Sequence, residues 1–487
     1  MPSSTIVSVV PPEIWGSIIC DMNLSDLSIL SLVCREWQMI ALPYLYHTLY
    51  LGRISHLEQF TKRFNDQSNT PIGKLVRGLV IDDGSGWDLK VLDSSTPLYI
   101  TSLFKLILIH TPGLESFTWK VLFMHPDEEI IECLQTHCTN LKSFSFGGFY
   151  SSGYSFAGED SNPPILRFKN LQNYSFTSIT GLSHPNKSLA TSFSSMLQDS
   201  PDMRTVRLAC ERRDAVVSGS QISFSKQLQH TQLRSLNVFL GIGAAIEPDF
   251  HRVFDSSYNS SLRAFLARHS NLRSLEFGWA EQPGNYEPLG SSELEIILPS
   301  LKDLRGPTFL CAPILSSNIA SRIESLAILD AFAYDELVSS FHMCMCSAKD
   351  MPLLNSLAID LYYGSQENLD IVSELLKRAP DLEELCLGVS FDELHKVIEL
   401  IRLVPKIRKL SIRPASFDMM RLDSGEYGWK QCLSFMAQIC PNLQYVHELG
   451  PSYDDTSFWT ISRNQEGVEV MVTDSTQSAL FAICDVL

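Results

Sequence analysis

Several groups of side chains in this sequence are spaced as if to hold a metal, bind a nucleotide or accept a modification. His342, Cys344 and Cys346 bring three soft metal ligands together, and Cys133, His137 and Cys138 do the same along one helix-like stretch. A structural zinc takes four such donors, usually as cysteines separated by two to four residues. Neither trio has a fourth member beside it, so both are expected to be packing thiols, which behave as small hydrophobes. The acidic run Asp82–Asp88 could hold a cation weakly, but it lacks the alternating ligands and closing Glu of a calcium loop and is expected to be a solvated turn. Gly241 and Gly243 follow a strand-like segment as a dinucleotide fingerprint would; Ile246 replaces the third glycine and Pro248 breaks the helix that should face the pyrophosphate. The final four residues, Cys484–Leu487, have the form that directs geranylgeranylation. Asp485 is not aliphatic and no polybasic segment precedes it, so the other reading is that residues 479–483 close a hydrophobic face. No P-loop, nucleophile elbow or zinc-protease signature occurs. No catalytic residue, metal ligand or cofactor is expected.

The elements carrying these residues are of two kinds. At 487 residues the chain has room for about three domains, or for one small domain and one long array. Hydrophobic residues make up 45% and charged residues 19%, a globular composition that excludes fibrous and disordered classes. The net charge of −17 repels phosphate backbones, so nucleic acid is not expected as a partner. Twelve scattered cysteines are too sparse for a disulfide scaffold. No apolar run is long enough for a transmembrane segment and the N-terminus lacks a basic signal region, which leads to an expected cytoplasmic or nuclear location.

Residues 1–52 form a head with helical periodicity. Ile14, Trp15, Ile18 and Ile19 share one helix face behind Pro12; Asn23 or Ser25 can cap a second helix carrying Leu27 and Leu30; Trp37, Ile40 and Ala41 mark a third before Pro43. The series Pro11, Glu13, Ile14, then Leu24, Asp26, Leu27, then Val33, Cys34, Arg35, Trp37 resembles the F-box in order and spacing, with Val10 where the family usually has Leu. The residues that follow, through Leu51, resemble fungal members. This resemblance implies a module that docks on a Skp-type adaptor and thereby joins a cullin ubiquitin ligase. It makes Pro11, Ile14, Ile18, Leu27, Leu30, Val33 and Trp37 the candidate adaptor-binding residues.

Residues 53–487 carry a second pattern: an apolar residue, two arbitrary ones, an apolar residue, one arbitrary one and a third apolar residue. Leu114, Phe117 and Trp119 are one instance; Leu382, Leu385 and Leu387 are another. Thirteen such sites, two of them incomplete at Leu301 and Leu443, run from Val76 to Leu443, roughly 31 residues apart on average. The second and third apolar positions alternate as one face of a strand, and amphipathic helical stretches ending near Pro380, Pro405 and Pro441 separate the triplets. The expected fold class is therefore α/β: a short three-helix head followed by a leucine-rich-repeat-like solenoid with a curved parallel sheet and a C-terminal closing segment.

The residues between the triplet positions should face the concave side. Among them Arg207, Asn237, Glu276, Asp360, Glu384, Lys409 and Arg413 are candidates for binding a protein substrate. The functional expectation is a non-catalytic substrate-recognition subunit of a ubiquitin ligase; the alternative is a repeat scaffold with no ligase association.

Overall fold

The architecture is that of a computed structural model, which describes residues 12–20, 22–65, 72–82, 96–121, 128–148, 166–178, 193, 195–210, 233–240, 252–278, 285–329, 348–359, 366–390, 394–413, 426–448, 457–464 and 467–473. Contacts divide the chain into two compact units, Met1–Glu211 and Arg212–Leu487.

The first unit opens with α1 (Pro12–Cys20), α2 (Leu24–Val33) and α3 (Arg35–Leu45). Asn23 caps α2: its side-chain oxygen accepts from the Asp26 amide at 2.9 Å, and Asp26 sits in the first turn where the helix dipole favours a carboxylate. Cys34 adopts an extended conformation and separates α2 from α3. The interior of the head is small, with Ile19, Leu27 and Ala41 buried and the Trp37 ring meeting Trp15 edge-on at 4.6 Å.

The first ladder follows: β1 (Thr48–Leu51), α4 (Ile54–Asn65), β2 (Gly78–Asp82), α5 (Thr96–His110), β3 (Ser116–Lys120), α6 (Glu128–His137), β4 (Ser143–Gly148), β5 (Asn173–Ser178) and β6 (Thr205–Cys210). The six strands pair in chain order and all in parallel. The head rests on this ladder, since Tyr46 stands edge-on to Phe60 of α4 and its hydroxyl accepts from Arg63 Nη1 at 3.0 Å. β1 carries no triplet, and the triplet pattern did not mark it.

Register aligns the inward positions. Leu79, Phe117, Phe144, Tyr174 and Val206 lie side by side, as do Ile81, Trp119, Phe146, Phe176 and Leu208. All ten are buried, and each such side chain contributes about 1.5–3 kcal/mol on leaving water. Phe144 stacks on Phe117 at 5.9 Å and on Tyr174 at 6.0 Å, so the core of this unit is an aromatic column.

In the second unit the parallel strands are β7 (Ser235–Leu240), β8 (Ser274–Phe277), β9 (Asp303–Gly306), β10 (Ser325–Ile328), β11 (Ser356–Ile359), β12 (Glu384–Ser390), β13 (Lys409–Arg413) and β14 (Tyr445–Glu448). Its inward column is aliphatic: Leu275, Leu304, Leu326, Leu357, Leu385, Leu410 and Val446. Helices α7 (Gln366–Lys377) and α8 (Leu394–Arg402) bury Val372, Leu375 and Leu376, and Val397 and Ile401. On α9 (Glu426–Ile439), Leu433 and Met436 are buried, whereas Phe435 is exposed. β15 (Ser457–Asn464) then turns back antiparallel to β14 and pairs with β16 (Gly467–Thr473), also antiparallel. This hairpin departs from the parallel repeat; no helical stretch separates its strands, so neither carries the triplet.

A backbone motif fixes the edge at which the strands begin. The carbonyl of the residue just before one strand accepts two amides from the next repeat: Arg77 O from Glu115 and Ser116, Asn355 O from Glu383 and Glu384, Glu383 O from Arg408 and Lys409. The side chains of these pre-strand residues are thereby held in a row along the rim.

Candidate functional site

The head presents apolar side chains that its own interior does not use. Ile14 and Ile18 on α1 and Val33 on α2 are exposed, and with them Leu24, Ile29, Leu32 and Met39, which were not among the candidate adaptor-binding residues. Leu32 is 82% exposed. The signal that could have found the three on α2 is that this helix is apolar around most of its circumference, more than a small core can bury. Of the other adaptor candidates, Leu27 is buried inside the head and is therefore part of its core rather than of its exposed face. Leu30 and Trp37 are half-buried. Pro11 lies outside the described residues.

The outward-facing positions differ between the units. In the first, Ser116, Thr118, Ser143, Ser145, Asn173, Ser175 and Thr205 are half-exposed and Arg207 is exposed. In the second, the equivalent row is closed over. Ala327, Ala358 and Cys386 are buried together with Phe458 of β15, with Leu329 and Tyr445 packed against them, and His447 stacks on the Phe458 ring at 4.3 Å. Glu276 was expected on an open face but is only 4% exposed. Alternation fixes which face a side chain takes and says nothing about what lies over that face. Asp360 and the side chains of Asn237 and Arg413 lie outside the described residues, although Asn237 and Arg413 hold backbone places in β7 and β13.

Glu384 and Lys409 are brought together on neighbouring strands by direct register pairing. They line a cavity of about 310 Å³ at the strand-start rim, with Asn355, Glu383, Arg408 and Gln444 also in its wall. Arg408 lies 3.6 Å from the Glu383 carboxylate and donates to Gln444 Oε1 at 3.3 Å. Glu384 Oε2 accepts from the Ser356 hydroxyl at 3.3 Å, while Oε1 is shielded from water and has no hydrogen-bond partner. Burial pushes the Glu384 carboxyl above its ordinary range, against the pull of Lys409, Ser356 and Arg305. Burial, followed by the charge of Glu324, does the same to Asp303.

The first unit has a counterpart, a rim cavity lined by Arg77, Glu115, Lys142 and Gln172 among others. There Glu115 accepts from Lys142 Nζ at 2.7 Å and lies 3.8 Å from Arg77. The Lys142 hydrogen bond, aided by the charges of Lys142 and Arg77, holds its carboxyl below the ordinary range.

Of the remaining sequence candidates, Cys133, His137 and Cys138 lie among the described residues. Cys133 and Cys138 are buried; the Cys138 thiol sits 3.7 Å from the Thr111 carbonyl oxygen, and burial pushes its pKa up to about 12. It is a packing thiol. Residues 342–346, 83–88, 241–246 and 484–487 lie outside the described residues. Among the described residues no group of three or more His, Cys, Asp or Glu is placed to hold a metal ion, and no helix is long and apolar enough to cross a membrane.

No curated protein matches the chain. Among solved structures it is similar to a crystal structure of a TLR13–ssRNA13 complex, at 14% identity and a TM-score of 0.29 over 77% of this chain; the matched part spans about half, 52%, of that chain. Residues 7–52 match the family model described as F-box-like. The three helices with the exposed apolar face fall within that span: the head is an F-box-like domain.

Proposed function

We propose that the chain is the substrate-recognition subunit of a Skp–cullin–F-box ubiquitin ligase, docking on a Skp-type adaptor through its head and binding a protein substrate through its repeat strands. The observation that carries this reading is the coincidence of the F-box-like match at residues 7–52 with the exposed Ile14, Ile18, Ile29, Leu32 and Val33. Apolar side chains left in water on a head this small need a partner to cover them, and helices laid into an apolar groove are a common way to do so. The chain itself catalyses nothing in this reading; the ligase's other subunits perform the transfer. The proposal places the protein in the cytoplasm or nucleus, where cysteines such as Cys34, free and exposed, would remain thiols. The test is co-purification. Tagged full-length protein should retain a Skp-type adaptor and, through it, a cullin, and deletion of residues 1–50 should lose both. Recovery of neither subunit, under conditions that retain another F-box protein, would refute the proposal.

A further inference from the structure

The pre-strand residues of the second unit form an unbroken row from Arg234 to Gln444, because the carbonyl of each accepts two amides from the next repeat. The charged members, in order, are Arg234, Arg273, Lys302, Glu324, Glu383 and Arg408. Lys302 pairs with Glu324, and Arg408 pairs with Glu383. Both carboxylates of the row are thereby used. Arg234 and Arg273 are left as adjacent exposed cations, and neither side chain makes a hydrogen bond or ion pair among the described residues. The nearest carboxylate in the strand register is Asp303, which is half-buried; the cations that pull its pKa down are Arg305 and Lys302 rather than Arg273. Glu276 lies three residues along the chain from Arg273, about 10 Å of strand, and is buried. What the exposed pair lacks is an anion.

We propose that Arg234 and Arg273 bind an acidic segment of the protein substrate, one guanidinium to each of two carboxylates. The inference rests on the substrate-recognition reading and narrows it to a substrate class. Neighbouring strands lie about 4.8 Å apart, and side chains two residues apart in an extended peptide share one side at roughly 6.6 Å. Two long arginine side chains span that difference. Each planar fork matches a carboxylate with two parallel hydrogen bonds. The ladder already holds both arginine backbones, so binding orders only their side chains. Ser235 and Ser274, register-paired and half-exposed at the strand starts, offer hydroxyl donors to the same ligand. A single phosphate suits the pair less well, because it would draw both guanidinium groups together, whereas two carboxylates place one anion beside each. The chain's net charge of −17 is screened beyond about 8 Å at physiological ionic strength, so the pair acts by contact rather than by attraction from a distance.

The test uses purified full-length chain on immobilised hexapeptide libraries, each fixed at two positions, two residues apart, as Glu, Gln or Lys, with a fourth library fixed at one phosphoserine. The paired-Glu library should bind about tenfold more strongly than the paired-Gln or paired-Lys library. The double variant Arg234→Gln with Arg273→Gln should erase that preference without moving the melting temperature, since both side chains are exposed and unpaired. Arg234→Lys with Arg273→Lys keeps the charge, loses the fork and should weaken the preference only partly. Arg408→Gln, which removes a rim cation already paired with Glu383, should leave it intact. Equal binding of all libraries, preference for Lys, an acidic preference that survives the double Gln variant, or binding of the phosphoserine library without the paired-Glu library overturns the assignment. Adaptor binding, measured on the same preparations, separates the two levels. Absence of the acidic preference in a chain that still binds adaptor removes this inference alone. An arginine-dependent preference in a chain that binds no adaptor supports the pair while removing the ligase reading.

Discussion

The two units place a cavity at the same edge of their strands and leave it in opposite electrostatic states. Glu115 in the first unit lies between Lys142 and Arg77, and its carboxyl is held low. Glu384 in the second unit has a serine and an orphaned oxygen, and its carboxyl is held high. The first rim is satisfied by its own chain, whereas the second has unused acceptor capacity. Their interiors differ as well, an aromatic column centred on Phe144 against an aliphatic one running through Leu385. A shared backbone plan therefore does not imply a shared role. The side chains decide which rim pairs its own carboxylate and which leaves an acceptor oxygen unpaired.

The largest expected effect separates inward from outward positions. Leu385→Asp places an unpaired carboxylate in the core of the second unit and should cost on the order of 5 kcal/mol, enough to remove its cooperative melt. Wild-type melting in this variant would break the register on which the comparison depends. Phe144→Ala should come next, at about 3–5 kcal/mol, because both stacking partners lose a ring and a cavity remains. A cost below about 1 kcal/mol would mean that the aromatic column is not the core of the first unit.

Smaller effects sharpen the contrast between the rims. Glu384 has a raised folded-state pKa, so it opposes folding above that pKa and the cost disappears as pH falls below the unfolded value. Glu384→Gln should therefore match or exceed wild-type stability by up to about 1 kcal/mol at neutral pH, with the gap closing in acid, as read from denaturant melts across pH. A variant clearly less stable than wild type at neutral pH would contradict the orphaned-acceptor account. Glu115 runs the other way: its lowered pKa adds stability above the unfolded value, lost as pH falls through the folded one. The pair is well exposed, so Glu115→Gln should cost within about 0.5 kcal/mol and less in high salt. A gain in stability from this variant would show that the first rim is not satisfied.

Much of this fold was legible because a strand's period of two is written directly in the triplets. Phe117 and Trp119, or Leu385 and Leu387, are apolar for the same geometric reason, and all are buried. The two incomplete triplets have physical explanations. Gly306 occupies the third position on β9 because a Cβ there would come within 3.2 Å of the Phe277 Cβ, and Glu448, itself buried, holds the third position on β14. β1 and the β15–β16 hairpin escaped notice because they lack the strand–helix spacing that made the other strands recognisable. The head was legible as helices, but which face looks outward depends on packing: Leu27 turns in while Leu32, five residues on, turns out. The burial of Glu276 was invisible for a related reason, since periodicity assigns a face and long-range packing decides whether water reaches it.

The central claim, that the head binds an adaptor through side chains its own fold does not need, is tested most directly by the affinity of purified full-length protein for a Skp-type adaptor. The comparison is between wild type and the double variant Ile18→Asp with Val33→Asp. Both residues are exposed, so the variant should keep the wild-type melt. Its affinity should fall at least about a hundredfold, because two apolar contacts become desolvated charges at the interface. Unchanged affinity in a folded variant would contradict the claim.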